Sequence, residues 1–128
     1  MGKFWFGMGC MMAGLGVSAG TFAVHALKQN FSADLLAIFE IGVRYQMYHS
    51  LGLIAVALAM DRWPSMTLHW TARLWLIGII LFSGNLYIIC LTGLQALGPV
   101  TPFGGGCFLM GWILLFWEFL VRPKVIRR

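Results

Sequence analysis

The sequence predicts an all-α integral membrane protein: four transmembrane helices in an up-down-up-down bundle, the second with an interfacial N-terminal extension. Three observations lead there. Hydrophobic residues make up 60% of the chain and charged residues 10%, at a mean hydropathy of +0.84. A soluble domain averages ~45–50% apolar and ~25% charged residues, so a water-soluble fold of this composition would lack the charge to cover its surface. Four apolar runs fill most of the 128 residues. A bilayer core of ~30 Å takes ~20 helical residues per crossing, so four crossings nearly fill one domain spanning 1–128. The runs are continuous instead of alternating, which favours helices over a barrel.

The first span is expected over about 4–27. Lys3 precedes it as in a secretory signal, but the chain starts at Met1 and the segment is expected to be retained. The apolar stretch before Cys10 is too short for a lipobox, and Phe6 stands where myristoylation prefers Ser or Thr. In the second segment Ser32 or Asp34 can cap a helix whose dipole favours an acidic first turn. No proline interrupts Ala33 to Met60, a length of about 42 Å that exceeds the hydrocarbon core. The excess, 33–44, mixes Leu35, Leu36, Ile38, Phe39 and Ile41 with Asp34, Glu40 and Arg44 and is expected at the interface, leaving 44–61 as the span. Glu40 and Arg44 are spaced as an i,i+4 ion pair. Pro64 ends the helix by disfavouring helical geometry at Trp63. The third span is expected at 70–93, an uncharged turn with Gly98-Pro99 follows, and the fourth runs over 102–121 until Pro123.

With four spans the termini and the middle loop share one side. That side holds Lys3, Arg62, Arg73, Arg122, Lys124, Arg127 and Arg128, and the other holds Lys28 and Arg44. The positive-inside rule then places both termini in the cytoplasm of a multi-pass protein. Trp63, Trp70 and Trp75, with Trp5 and Trp117, fit a cytoplasmic-side aromatic belt. The net charge of +5 is explained by this topology, with the basic tail on anionic headgroups, and nucleic acid is not expected as a partner.

Small residues suggest how the spans pack. Gly9, Ala13, Gly16, Gly20 and Ala23 form a stripe along the first helix, the second helix offers Gly52, Ala55 and Ala59, and the fourth Gly104, Cys107 and Gly111. In lipid such stripes let backbones approach closely, here within the bundle or in a dimer or partner-subunit interface. A second stripe, Gly14, Ser18, Thr21, His25 and Lys28, sits roughly 140° around the same helix. Two non-lipid faces make that helix central or the lining of a polar interior, unless Ser18 and Thr21 merely bond their own backbone.

The densest polar cluster is Arg44-Tyr45-Gln46-Met47-Tyr48-His49. Ionisable groups are costly in a bilayer and usually anchor structure or carry function. In this topology His25 and His49 can meet near the outer interface, with Glu40, Arg44, Tyr45 and Gln46 nearby. The readings are a structural hydrogen-bond cluster, a ligand or proton site, bis-His haem, or a Zn or Cu site of His25, His49, Cys90 and Cys107. The metal reading lacks any CxxC or HxxxH spacing, and no cofactor is expected. Ser83, Asn85 and Tyr87 lie mid-span in the third helix as interhelical glue. Glu118 and Arg122 are spaced as an interfacial ion pair. Three cysteines exclude a full disulfide framework but leave Cys90–Cys107 open. No Walker loop, GxSxG, HExxH or paired intramembrane carboxylate is present, so a hydrolase or nucleotide-driven pump has no support.

Val24-His25-Ala26-Leu27, Arg44 to His49, Leu81-Phe82-Ser83-Gly84-Asn85-Leu86-Tyr87, Thr101 to Gly105 and Gly111-Trp112 resemble, in this order, the domain-of-unknown-function 423 family of small four-helix bacterial inner-membrane proteins. The family's first-helix pattern resembles GAFGAH, of which Ser18 to His25 keeps the histidine with looser glycine spacing. Its third-helix pattern resembles LFSGSLY, with Asn85 here in place of the second serine. The resemblance implies fold and location and supplies no catalytic assignment. The expected function is a non-catalytic, membrane-embedded binding or accessory subunit for a lipid, small ligand or partner protein. The alternative is a small permease or proton/ion conductor using Ser18, Thr21, His25 and His49, and a metal-binding membrane protein is the third option.

Overall fold

The computed structural model describes residues 1–121, all in helices and short connections, with no strand among them. Four helices follow in order: α1 (Gly2–Leu27), α2 (Ala33–Arg62), α3 (Met66–Thr92) and α4 (Gln95–Val121). Three depart from regular α geometry. The last turn of α1, Ala23–Leu27, is π-helical. A π-helical stretch, Ile79–Gly84, interrupts the middle of α3. In α4, a 3₁₀ turn (Gln95–Val100) opens the helix and a π turn (Trp117–Val121) closes it.

Local chemistry explains the helix ends. Ser32 caps α2, its Oγ accepting from the Leu35 N–H at 3.3 Å, with Asp34 in the first turn. Trp63 breaks from helical geometry ahead of Pro64. Ser65 then caps α3 through the Thr67 N–H at 3.1 Å, so α3 starts at Met66, ahead of the expected start at residue 70. Gly93 closes α3 in the left-handed region (φ 73°), which costs glycine little, and its N–H bonds Ile89 O.

Helices α1, α3 and α4 are long and apolar enough to cross a membrane. Helix α2 is as long but more polar, because Gln46, His49 and Ser50 stand in its middle; these three are buried against the other helices. The expected interfacial extension and second span form one unbroken helix.

Packing follows the small residues. Helix α1 lies along α2 through Gly9, Ala13, Gly16, Gly20 and Ala23. A Cβ on Gly9 would stand 2.9 Å from Ser50 O, and one on Gly16 2.7 Å from Met47 Sδ. Of the readings its second stripe left open, helix α1 is neither central nor the lining of a polar interior. Ser18, Thr21 and His25 are exposed on its outer side, and Ser18 donates back to Gly14 O at 2.9 Å. The centre is the α2–α3–α4 contact, where Leu53, Val56, Ala57, Met60, Leu68, Ala72, Trp75, Ile79 and Phe108 form the main core, joined by Trp5 from α1. Trp75, expected in an interfacial belt, is fully buried between Gly52 of α2 and Gly111 of α4. A Cβ on Gly52 would come within 2.6 Å of its ring, and one on Gly111 closer still. Gly104 of α4 sits directly on the α3 backbone at Leu81 and Phe82, inside the π stretch.

These notches yield a contrast measurable by thermal unfolding in mild detergent. Gly111→Ala forces a buried ring to move and is expected to lose about 1–3 kcal/mol. Gly14→Ala meets nothing within 4 Å and is expected to be neutral or to gain up to about 1 kcal/mol through reduced backbone freedom.

Candidate functional site

The buried polar residues of α2 join three helices. Gln46 donates from Nε2 to Met12 O of α1 at 2.8 Å and accepts at Oε1 from the Tyr87 hydroxyl of α3 at 2.7 Å. Ser50, one turn further along, donates to Gln46 O. Ser83, in the π stretch of α3, donates to Gly42 O of α2 at 2.6 Å. Gly42 has no side chain to block the Tyr87 ring, which a Cβ there would meet at 2.8 Å. The Cys90 thiol donates to Leu35 O at 3.6 Å. Asn85 donates to Leu97 O and Thr101 Oγ1, both at 2.7 Å, and so ties α3 to the start of α4. Asn85 offers two N–H donors where serine has one hydroxyl, and both are used.

His49 occupies an aromatic box. Its ring stacks on Phe108 at 3.6 Å and 9°, with Trp75 edge-on at 5.6 Å, Trp112 at 6.0 Å and Tyr45 at 6.3 Å. Nδ1 lies 2.7 Å from Tyr45 O, and a carbonyl only accepts, so Nδ1 carries the proton. Nε2 is then an acceptor and takes the Trp112 indole N–H at 3.0 Å. The two bonds assign a neutral ring with a defined tautomer. Trp75 donates its own N–H to Phe108 O at 3.2 Å, so both indoles of the box are satisfied. Among the described residues every buried side-chain nitrogen and oxygen has a hydrogen-bond partner.

The cluster expected from sequence is split. Gln46 and His49 are inside, Tyr45 is partly exposed, and Arg44 and His25 are exposed. His49 turns to α3 and α4 while His25 lies on the outer side of α1, so the expected meeting of the two does not occur. Glu40 and Arg44 do not form the expected ion pair. No group of three or more His, Cys, Asp or Glu able to hold a metal exists among the described residues, so His25, His49, Cys90 and Cys107 are not assembled into a metal site. All three cysteines are free thiols, and Cys107 lines an apolar recess of about 410 Å³ between α3 and α4, with Leu74, Phe103 and Met110. The Glu118–Arg122 pairing falls outside the described residues at Arg122. Sequence reasoning missed Trp75, Phe108 and Met12 as members of the interior. A ring facing a glycine on another helix was the available signal, but glycine spacing alone does not say which ring fills it.

A bundle of long apolar helices closed around such an interior defines an all-helical membrane protein. Residues 19–105 match the family model described as "Protein of unknown function (DUF423)", and the chain belongs to this family. It is similar to the UPF0382 membrane protein YwdK of Bacillus subtilis, 39% identical over 115 residues that cover 88% of this chain and 93% of the relative. The UPF0382 membrane protein SSP2132 of Staphylococcus saprophyticus is 38% identical over 113 residues, 88% and 93% of the two chains. The UPF0382 inner membrane protein YgdD of Escherichia coli K12 is 36% identical over 99 residues, 77% and 76% of the two chains. No solved structure matches.

A double-mutant cycle tests the link between helices. Gln46→Leu and Tyr87→Phe each remove one side of the Gln46–Tyr87 bond. Their coupling, read from unfolding in detergent, is expected at about 0.6–2 kcal/mol. Additivity within error would mean that the bond contributes nothing.

Proposed function

We propose that the protein is a non-catalytic accessory subunit of a bacterial inner membrane that holds another transmembrane helix against α1. One observation carries this reading. Gly7, Cys10, Gly14, Ser18, Thr21 and His25 form a row of small and polar residues on α1, at steps of three or four, all exposed. Positions 7 and 14 face open space. Lipid rewards large apolar side chains no less than small ones, whereas a neighbouring helix gains from a small, hydrogen-bonding face. The interior supports the same reading: its buried polar groups already have partners within the bundle, so another helix would find bonding groups on the outside. No metal or cofactor is needed.

In this reading α2 crosses the bilayer as well and the four helices run up and down. What α2 turns outward between Arg44 and Asp61 is Tyr45, Tyr48, Leu51, Ala55 and Leu58, a face compatible with lipid although the helix as a whole is polar. The basic residues favour cytoplasmic termini. Single cysteines in a background free of native ones test this: one at Gln29 is expected to react with an impermeant maleimide in intact cells, and one at Ser65 only after permeabilisation. The opposite pattern would reverse the topology.

Photo-crosslinking tests the partner. A photoreactive residue at position 14 or 18 is expected to give a discrete protein adduct. The same residue at position 109, where Leu109 is exposed on α4, is expected to give lipid adducts. Lipid adducts alone at every position would refute an accessory role through α1.

A further inference from the structure

We infer that the His49–Trp112 hydrogen bond is a protonation-sensitive latch between α2 and α4. The geometry admits one proton arrangement. Nδ1–H is committed to Tyr45 O at 2.7 Å, and Nε2 accepts from the Trp112 indole at 3.0 Å. A proton taken up at Nε2 turns the ring into a donor at both nitrogens. Two N–H groups then face one another across the bond, and neither can accept. The indole has to leave.

The surroundings decide which partner moves. Trp112 is 46% exposed and has room to turn toward the outside of the bundle. Trp75, its neighbour at 4.5 Å, is fully buried, bonded to Phe108 O and held between glycines, so it stays. The imidazole also stays, because its bond to Tyr45 O survives protonation. Phe108 lies flat against it at 3.6 Å and offers the charged ring a π face. The groups facing His49 are Tyr45 on its own helix, Trp75 on α3, and Phe108 and Trp112 on α4. The Tyr45 phenol is the one other titratable group among them, and no charged side chain belongs to the set. A proton on His49 is therefore not compensated by a carboxylate, and its effect goes into the Trp112 contact.

Nitrogen-15 NMR of the full chain in nanodiscs tests the latch, with the Trp112 indole signal assigned by its loss in Trp112→Phe. At neutral pH His49 is expected to carry its proton on Nδ1, and the Trp112 indole proton is expected downfield. On acidification that signal should move to the position of a free indole in step with the His49 ring nitrogens, while the Trp75 indole signal stays. In His49→Phe, which keeps a ring on Phe108, the Trp112 signal should sit at the free position at every pH. If that variant fails to fold, the wild-type titration decides alone. A Trp112 signal that ignores His49 protonation would overturn the latch. So would a proton on Nε2 at neutral pH, or a His49 that stays neutral until the protein unfolds.

Discussion

The fit of the Trp75 ring between two glycines is the constraint on which the bundle depends. In water, burying a tryptophan is rewarded by the area it removes from solvent. In a bilayer the lipid tails are as apolar as a protein core, so association between helices rests on close packing and interhelical bonds. A ring whose six-membered end meets Gly52 and whose pyrrole end meets Gly111 gains contacts at both ends that looser packing could not supply. The same fit brings α4 close enough for the Trp75 N–H to reach Phe108 O and for Trp112 to reach His49. Gly104 extends the approach by resting on the α3 backbone.

The polar interior obeys a companion rule. Gln46, Ser83, Trp75, Asn85 and Cys90 all aim donors at backbone carbonyls elsewhere in the chain: Met12, Gly42, Phe108, Leu97 and Leu35. A carbonyl has two lone pairs, and a helix uses one, so these bonds need no break in the helix. Without water to compete, each such donor must find a partner inside. The result is an interior whose hydrogen bonds are used in holding helices together.

Much of this was legible from particular residues. Ser32, Pro64 and Gly93 mark helix ends because their effects are local. Gly9, Gly16 and Gly20 mark a close approach because small residues at steps of four and three have few other uses in a membrane helix. The candidate site was legible in part. Gln46 and His49 stood out as polar residues in an apolar run, but their partners did not. Trp75 looked like a belt residue because indoles are common at interfaces, and only the glycines opposite it show otherwise. The polar row of α1 was visible as a row, yet its direction was not: a stripe that points inward and one that points outward have the same periodicity.

The sequence by itself determined the all-helical membrane class, the course of the four helices and most of their ends, since hydropathy and capping act within a few residues of chain. The tertiary structure alone decided that His49 pairs with Trp112, 63 residues away, and not with His25, and that α1 sits at the edge. The physical reason is that a glycine notch and an unpaired donor specify what they need but not where it comes from. Which ring or carbonyl supplies it is settled only when helices distant in sequence are packed side by side.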